Sequence, residues 1–344
     1  MKQRPRELVI STSPFLKTET STPRIMGEVN LALLPVLAAA AYYFGLGALL
    51  VVAASTLGAL GTEYLFTRPN SSLRDNSALL TGVLLGLILP PAFPLWMAFL
   101  GGAVAIGLGK LIWGGLGQNI FNPALVGRAF LQACFPTAIT TWTPPGGGFF
   151  HLSPRLFAVP LMQAPVDAVS GATPLGLAKF ENQSTAWMPL LSGDIGGSIG
   201  ETSAAVLILC GLWLAVRRVF DWRLPVSTLL SVVLFSGIIY AWNPETYPSP
   251  VFMLLSGGLL FAAVFMVTDP VTTPATVRGT WIFGLGVGFL VVLIRLFGGL
   301  PEGVMYSILL MNALTPHITR FTQPSPFGTP PKSSPRKAAQ GGEA

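Results

Sequence analysis

The chain has 344 residues, of which 51% are hydrophobic and 10% are charged, and its mean hydropathy is +0.64. A water-soluble domain of this size could not enclose so much apolar surface in one core, so the composition indicates a membrane protein. The formal net charge is +6, but the basic residues stand in short clusters between apolar segments and do not form the stripe of a nucleic-acid-binding protein.

The N-terminal segment, residues 1–26, is polar and basic and contains no apolar signal core. We therefore expect a cytoplasmic segment and no cleaved secretory peptide. A helix must supply about 20 apolar residues to cross the hydrocarbon layer of a membrane. On that criterion the sequence predicts ten membrane segments, at 27–45, 46–66, 77–90, 93–113, 119–136, 199–218, 224–242, 250–268, 280–298 and 301–318.

The third and fifth of these segments are predicted to be partial helices. The third is short and ends at Pro90 and Pro91, and the fifth opens with the sequence Asn-Ile-Phe-Asn-Pro at 119–123. Proline interrupts helical hydrogen bonding, and broken helices inside a membrane occur where protein or a cavity surrounds them.

The orientation is predicted from lysine and arginine, which are retained on the cytoplasmic side when they flank a membrane segment. With the N-terminus inside, only Arg155 and Lys179 fall outside, and Arg128 and Arg295 lie within segments. The residues assigned to the cytoplasm are Lys2, Arg4, Arg6, Lys17, Arg24, Arg68, Arg74, Lys110, Arg217, Arg218, Arg223, Arg278, Arg320, Lys332, Arg336 and Lys337. We predict a multi-pass membrane protein with both termini in the cytoplasm and the connection 137–198 on the outer side.

The connection separates two membrane halves, 27–136 and 199–318, with five predicted segments each. Because five is odd, a duplicated half would be inserted upside down. Leu-Leu-Thr-Gly at 79–82 is echoed by Leu-Leu-Ser-Gly at 254–257, a similarity that chance explains as readily as duplication. The expected fold is an all-α integral membrane protein of two inverted five-helix repeats, followed by a disordered cytoplasmic tail at 319–344.

The connection also contains a run of small residues from Asp167 to Leu175, in which a threonine is followed directly by proline. Local chemistry predicts that Thr173 is the N-cap of a helix beginning at Pro174, since proline is tolerated at the first helical position. A phosphate esterified to that hydroxyl would also be favoured, because it would lie against the free N–H groups of the helix. The local sequence leaves both interpretations open.

The run Asp-x-x-Ser-Gly-Ala-Thr resembles the attachment signature of bacterial flavin transferases, which move FMN from FAD onto the threonine hydroxyl. The resemblance implies that Thr173 carries FMN through a phosphoester bond. It also implies that Asp167, Ser170, Gly171 and Ala172 form the motif that the transferase recognises.

Further motifs along nearly the whole chain resemble one family. They are Gly-Leu-Gly-Gln-Asn-Ile-Phe-Asn-Pro-Ala at 115–124, Gly-Glu-Thr-Ser at 200–203, Val-Thr-Asp-Pro-Val-Thr at 267–272, Pro-Glu-Gly at 301–303 and Leu-Met-Asn at 310–312. They resemble the family that unites the D subunit of the Rnf complex with the B subunit of the sodium-pumping NADH:quinone reductase. The compact N-terminal region favours the Rnf branch.

The resemblance implies an electron-transfer subunit of a ferredoxin:NAD⁺ oxidoreductase that moves Na⁺ or H⁺, with an architecture similar to urea transporters. Its implied partners are the A, B, C, E and G subunits of Rnf and a flavin transferase. It also implies a second, noncovalent flavin, riboflavin, for which no residue here marks a site. The two other functions that fit are the B subunit of the quinone-reducing pump and a urea-channel-like solute transporter without flavin.

Other redox or catalytic equipment is not visible in the sequence. Cys134 and Cys210 lie far apart in apolar stretches, which indicates neither a disulfide framework nor an iron–sulfur or zinc motif. Neither His151 nor His317 is next to Thr173, so an external enzyme would have to activate that hydroxyl. We predict no metal site and no catalytic residue, and we expect the chain to function only within a complex.

Several charged residues fall inside or beside the predicted segments. Arg128 lies near the centre of the fifth, where an unpaired charge costs about 2.5–3.5 kcal/mol on insertion scales. It either faces the flavin or its phosphate, or forms a structural pair or a contact with carbonyls freed at the break at 122–123. Glu201 and Glu302 are expected to cap helices, because a carboxylate is favourable at a helix N-terminus. Arg295 is expected at the interface, and Lys110 is expected to extend its ammonium group to the inner surface.

Overall fold

The computed structural model describes residues 21–67, 72–146, 148–150, 152–160, 171–181, 183, 185–201 and 203–324. Regular structure in these ranges is helical throughout, without a β-strand. The α-helices are α1 (Thr22–Phe66), α2 (Ser77–Leu87), α3 (Leu95–Gly109), α4 (Pro123–Cys134), α5 (Pro136–Ile139), α6 (Pro174–Phe180), α7 (Trp187–Ser192), α8 (Ala204–Val216), α9 (Arg223–Trp242), α10 (Pro250–Leu255), α11 (Leu259–Phe265), α12 (Val277–Phe297) and α13 (Val304–Thr322).

Several of these helices are suited to a bilayer. Among the described residues, four helical stretches are long and apolar enough to cross a membrane: Thr22–Phe66, Leu95–Trp113, Arg223–Trp242 and Val277–Phe297. Many of their large apolar side chains face outward, as lipid-facing side chains do. The chain is an all-α integral membrane protein, as the composition predicted.

Helix α1 contains both of the first two predicted segments, 27–45 and 46–66. It is interrupted between them at Gly45, whose φ of 69° and ψ of −157° are not helical. Glycine adopts such a conformation at little steric cost. Asn76, shortly after the end of α1, donates a hydrogen bond to the carbonyl of Pro23 at its start. The chain therefore doubles back at Gly45, and the helical stretches before and after this residue supply the two predicted membrane segments.

The third and fifth predicted segments are partial helices, as expected. Helix α2 has 11 residues and α4 has 12. At about 1.5 Å per residue these helices span roughly 16–18 Å, against about 30 Å of hydrocarbon. The Asn122 side chain caps α4 by accepting the N–H groups of Ala124 and Leu125. The amide of Asn122 thus replaces the hydrogen bonds that the broken segment loses.

The prediction of one helix across 250–268 is wrong. The chain forms α10 and α11 there, separated at residues 256–258, and Gly257 has a φ of 63°. Helix α8 has 13 residues and is shorter than the predicted segment 199–218. Hydropathy predicts how long an apolar segment is. It does not predict a residue of left-handed conformation, such as Gly257, that ends a helix within the segment.

The predicted ends of the membrane region also shift. Helix α1 begins inside the predicted N-terminal segment, and α13 continues to Thr322, beyond the predicted boundary at 318. The rest of the predicted tail, from residue 325 onward, lies outside the described residues.

The prediction that Lys110 extends to the inner surface is also wrong. Lys110 directly follows α3, and only 2% of its side chain is exposed. Its Nζ donates to Glu63 Oε1 at 2.7 Å and to Ser77 Oγ at 2.6 Å, and lies 3.5 Å from Asp75 Oδ2. These neighbours replace the water that a buried ammonium group loses. Lys110 therefore joins α3 to the end of α1 and the start of α2.

The fourth segment of each half packs against the second: α3 on the later part of α1, and α12 on α9. Close contact in the first pair depends on Gly102 of α3, where an added Cβ would collide with the carbonyl oxygen of Ser55. Small residues allow membrane helices to approach closely enough for backbone contact.

We expect Gly102→Ala to destabilise the protein by about 1–3 kcal/mol, because the new methyl group must displace the α1 backbone. The matched control is Gly107→Ala on the same helix, where a Cβ would have no described atom within 4 Å. Thermal unfolding in detergent measures both. Equal midpoints for the two variants would show that the α1–α3 contact does not constrain the fold.

Candidate functional site

Thr173 is the N-cap of α6, as the local sequence predicted. Its backbone is extended, and its Oγ1 accepts the N–H of Gly176 at 3.1 Å. Pro174 occupies the first helical position, and Thr173 is only 7% exposed. Asp167 and Ser170 lie outside the described residues, so their roles in a recognition motif stay predictions.

Helix α6 is held at its other end by Lys179. Its Nζ donates hydrogen bonds to the carbonyl oxygens of Arg295 at 2.9 Å, Leu300 at 3.0 Å and Gly298. These carbonyls belong to the last turn of α12 and to the loop after it, where a helix leaves acceptors without intrahelical partners. Partial burial lowers the pKa of the Lys179 ammonium group below its ordinary value. The three carbonyl dipoles compensate this loss of hydration.

A cleft of about 330 Å³ opens beside Thr173. It brings together Thr173, Gly171, Ala172 and Arg128, four of the residues that the sequence singled out. Its walls come from α4, α11, the start of α13 and the connection between the membrane halves. The other lining residues include Ile88, Leu125, Gln132, Thr140, Trp142, Phe180, Glu201, Phe261, Met266, Leu300, Pro301, Glu302 and Met305.

Arg128 carries the main positive charge of the cleft and forms a buried ion pair. Its Nη2 lies 2.5 Å from Glu302 Oε2, and its Nη1 lies 3.7 Å from Glu201 Oε1. The structural pair considered for Arg128 therefore exists, and the same side chain also lines the cleft. Arg128 Nε and Glu201 Oε2 are buried and have no hydrogen-bond partner among the described residues.

The expectation that Glu201 and Glu302 cap helices is wrong. The N-cap of α8 is Ser203, whose hydroxyl accepts the N–H of Val206. The N-cap of α13 is Gly303, without a side-chain cap. Both carboxylates turn toward Arg128 instead, because a guanidinium group buried at this depth needs a counter-charge more than an accessible helix end does.

The expectation that Arg295 lies at the interface is not met. The surrounding protein encloses this residue, which is only 3% exposed. Its Nη1 donates to the carbonyl of Met253 at 2.6 Å, and its Nη2 to that of Ser256 at 3.0 Å. These acceptors stand at the break between α10 and α11, where helical hydrogen bonding is interrupted. The guanidinium group, which belongs to α12, thus supplies hydrogen bonds to backbone carbonyls at the break between the two helices.

The sequence identified Thr173 and Arg128 but missed the groups that hold them. Arg128 and Glu302 are 174 residues apart, and Lys179 and Leu300 are 121 apart. Spacing in the sequence carries no signal for such pairs. The available signal was the cost of an isolated intramembrane charge, which required a partner for Arg128 without saying which one.

The sequence of the chain matches a known protein family. The model of the NQR2, RnfD, RnfE family matches residues 9–328. The chain belongs to this family. It is 41% identical to the D subunit of the proton-translocating ferredoxin:NAD(+) oxidoreductase complex of Clostridium ljungdahlii, over 93% of this chain and 96% of that relative. It is 39% and 36% identical to the D subunits of the ion-translocating oxidoreductase complexes of Stutzerimonas stutzeri and Escherichia coli, again over 93% of this chain and at least 96% of each relative.

The cluster of Arg128, Glu201 and Glu302 predicts non-additive substitutions. Arg128→Met should destabilise the protein by about 3 kcal/mol, because it leaves a buried carboxylate without its cation. Glu302→Gln should cost less, and the double substitution should cost less than the sum of the two. Thermal unfolding of the chain without cofactor measures this coupling, with the exposed substitution Glu245→Gln as control. Strictly additive costs would mean that the two side chains do not interact.

Proposed function

We propose that this chain is the D subunit of an Rnf-type, ion-translocating ferredoxin:NAD⁺ oxidoreductase and relays electrons through FMN bound covalently to Thr173. The observation that carries the proposal is the position of Thr173. The threonine of the attachment-like motif lines a cleft together with a buried arginine, in a chain similar along 93% of its length to proteins named as the D subunits of such complexes.

The cleft is compatible with a flavin. Its volume of about 330 Å³ falls within the roughly 300–1,000 Å³ typical of small-molecule sites, and apolar side chains such as Phe261 and Met266 dominate one wall. The side chains of Arg128 and Glu201 line the same cleft, so a guanidinium donor and a carboxylate acceptor would face the polar edge of a ring system.

In this proposal the residues of the chain have distinct tasks. Thr173 Oγ1 bears the phosphate, and Gly171 and Ala172 leave space beside it. Bound FMN would supply the capacity to accept and release electrons singly or in pairs. Arg128 opposes the negative charge that accumulates on reduction, while Glu201 and Glu302 limit the excess positive charge when the flavin is oxidised.

Covalent attachment is useful at an extracytoplasmic site. A flavin bound only by affinity could dissociate into the periplasm, whereas a tether keeps its local concentration high. The proposed orientation is supported by the described basic residues at the end of the bundle opposite Thr173. They are Arg24, Arg74, Lys110, Arg217, Arg218, Arg223, Arg278 and Arg320. Such an end would face the cytoplasm of the bacterial inner membrane.

The proposed partners are the A, B, C, E and G subunits of Rnf and the flavin transferase, and noncovalent riboflavin belongs to the same proposal.

We also infer the inverted repeat. Its support is that the fourth segment of each half packs on the second, and that each fourth segment ends in a buried cation, Lys110 or Arg295. Each cation binds groups at or next to the third segment of its own half.

Flavin attachment is tested by denaturing electrophoresis of chain produced with a flavin transferase. The wild-type band should show in-gel fluorescence, Thr173→Ala should abolish it, and Thr140→Ala, at another threonine of the cleft, should retain it. Intact mass spectrometry should show an increase equal to the mass of one FMN less one water. A colourless, unmodified wild-type chain would contradict the proposal and favour a solute channel.

The reaction is tested on the purified complex by ferredoxin-driven reduction of NAD⁺ with and without Na⁺. We expect activity that depends on the complete complex and is lost in Thr173→Ala. Quinone reduction in place of NAD⁺ reduction would instead assign the chain to the quinone-reducing pump.

The charges of the cleft predict opposite shifts of flavin potential. Arg128→Met should lower the midpoint potential of attached FMN, because the reduced form loses a cation, and Glu302→Gln should raise it. We expect about 30 mV in each direction, which corresponds to about 1.4 kcal/mol for a two-electron couple. Spectroelectrochemical titration measures both variants. Shifts of the same sign, or none, would show that Arg128 does not act on the flavin.

A further inference from the structure

The hydroxyl that the proposed function assigns to FMN is enclosed in this structure. Thr173 is 7% exposed, and its Oγ1 is engaged by the N–H of Gly176. Pro174 and Leu175, which follow it, are also buried. A transferase must place this oxygen against the phosphorus of a dinucleotide within its own active site. The closed arrangement therefore excludes the attachment reaction.

Among the residues that the structure describes, few contacts keep α6 in this closed position. Leu175 packs in a small apolar cluster with Leu190, Ile195 and Phe252, separate from the main core. The N–H of Gly171 donates one backbone hydrogen bond to Trp142. Segments with few apolar contacts open locally at lower free energy than the global fold. We therefore expect the opening of α6 to cost less free energy than the unfolding of the membrane bundle.

Lys179 is the strongest polar contact in this set. Its ammonium group donates to three carbonyls, of Arg295, Gly298 and Leu300, and hydrogen bonds from a charged donor exceed neutral ones in strength. The loop that accepts these bonds continues through Pro301 to the cleft-lining Glu302. One side chain thus connects the helix that begins at Thr173 to the loop that carries Glu302 into the cleft.

Resting on the proposed function, we propose that Lys179 is a positioning residue that latches α6 against the wall of the cleft, so that FMN can be attached only while this latch is open. In the open state Thr173 Oγ1 bonds to the phosphorus of the FMN half of FAD. The P–O–P linkage breaks, AMP leaves, and the hydroxyl proton passes to a base of the transferase. Closure then brings the attached group into the cleft.

The opening is measured without flavin by thiol alkylation. In a Cys134→Ser, Cys210→Ser chain held in lipid nanodiscs, Thr173→Cys introduces the only thiol of the 344-residue sequence. A maleimide should modify it at least tenfold more slowly than in the SDS-denatured chain. Adding Lys179→Met should accelerate modification about tenfold, and Lys179→Arg, which keeps charged donors, should not. Equal rates with and without Lys179→Met, or a rate equal to that of the denatured chain, would overturn the latch.

A second measurement needs no substitution. The N–H groups of Gly176 and Leu177 bond to Thr173. If α6 opens separately, the hydrogens of these two amides should exchange with deuterated solvent at least tenfold faster than the amide hydrogens of α12. Helix α12 is the comparison because its Arg295 carbonyl accepts a hydrogen bond from Lys179. Equal exchange rates would show that α6 opens only with the whole fold, and would overturn the proposal even if Lys179→Met failed to fold.

The attachment step is measured on apo-chain with its native Thr173, given transferase and FAD. In-gel fluorescence should appear about tenfold faster in Lys179→Met than in wild type, with Lys179→Arg close to wild type and Thr173→Ala blank. If the thiol assay shows the latch but wild type and Lys179→Met acquire FMN at equal rates, the link between opening and attachment is overturned. If no variant is labelled, even when the chain is co-produced with the transferase, the proposed function is overturned. In that case the thiol assay alone decides whether the latch exists.

Discussion

The end of the helical bundle that contains the cleft is arranged around one buried charge, the guanidinium group of Arg128. It lies on a partial helix of the first membrane half, and its two carboxylate partners precede α8 and α13 of the second half. A charge at this depth is unfavourable by about 2.5–3.5 kcal/mol or more when unpaired. The two halves must therefore assemble in a register that brings Glu201 and Glu302 to it. The cleft forms where they meet.

Broken helices create the other requirement of this fold, because their backbone ends must be satisfied without water. Cations meet this need at two places. Arg295 donates to carbonyls at the break between α10 and α11, and Lys179 donates to carbonyls at the end of α12. Asn122 performs the complementary task at the start of α4 by accepting free N–H groups. The polar residues of this chain thus support short helices that give the cleft its shape.

The proposed cofactor site combines a rigid part with a part of lower stability. The rigid part comprises α4, α11 and the loops that pair with Arg128, all joined to the main core. The part of lower stability is α6, which packs in a small separate cluster and is held by Lys179. A site divided in this way can admit a large modifying enzyme and later enclose the attached group, because only a short segment has to move.

The sequence by itself determined the class of the fold and singled out Thr173, which lines the cleft. Composition required a bilayer, prolines marked the partial helices α2 and α4, and a threonine before a proline located the cap of α6, because these are properties of single residues and their neighbours. Only the tertiary structure decided the partners of Arg128, the burial of Lys110 and Arg295, and the break at Gly257. Those depend on contacts between distant segments and on backbone angles, and neither hydropathy nor sequence spacing contains them.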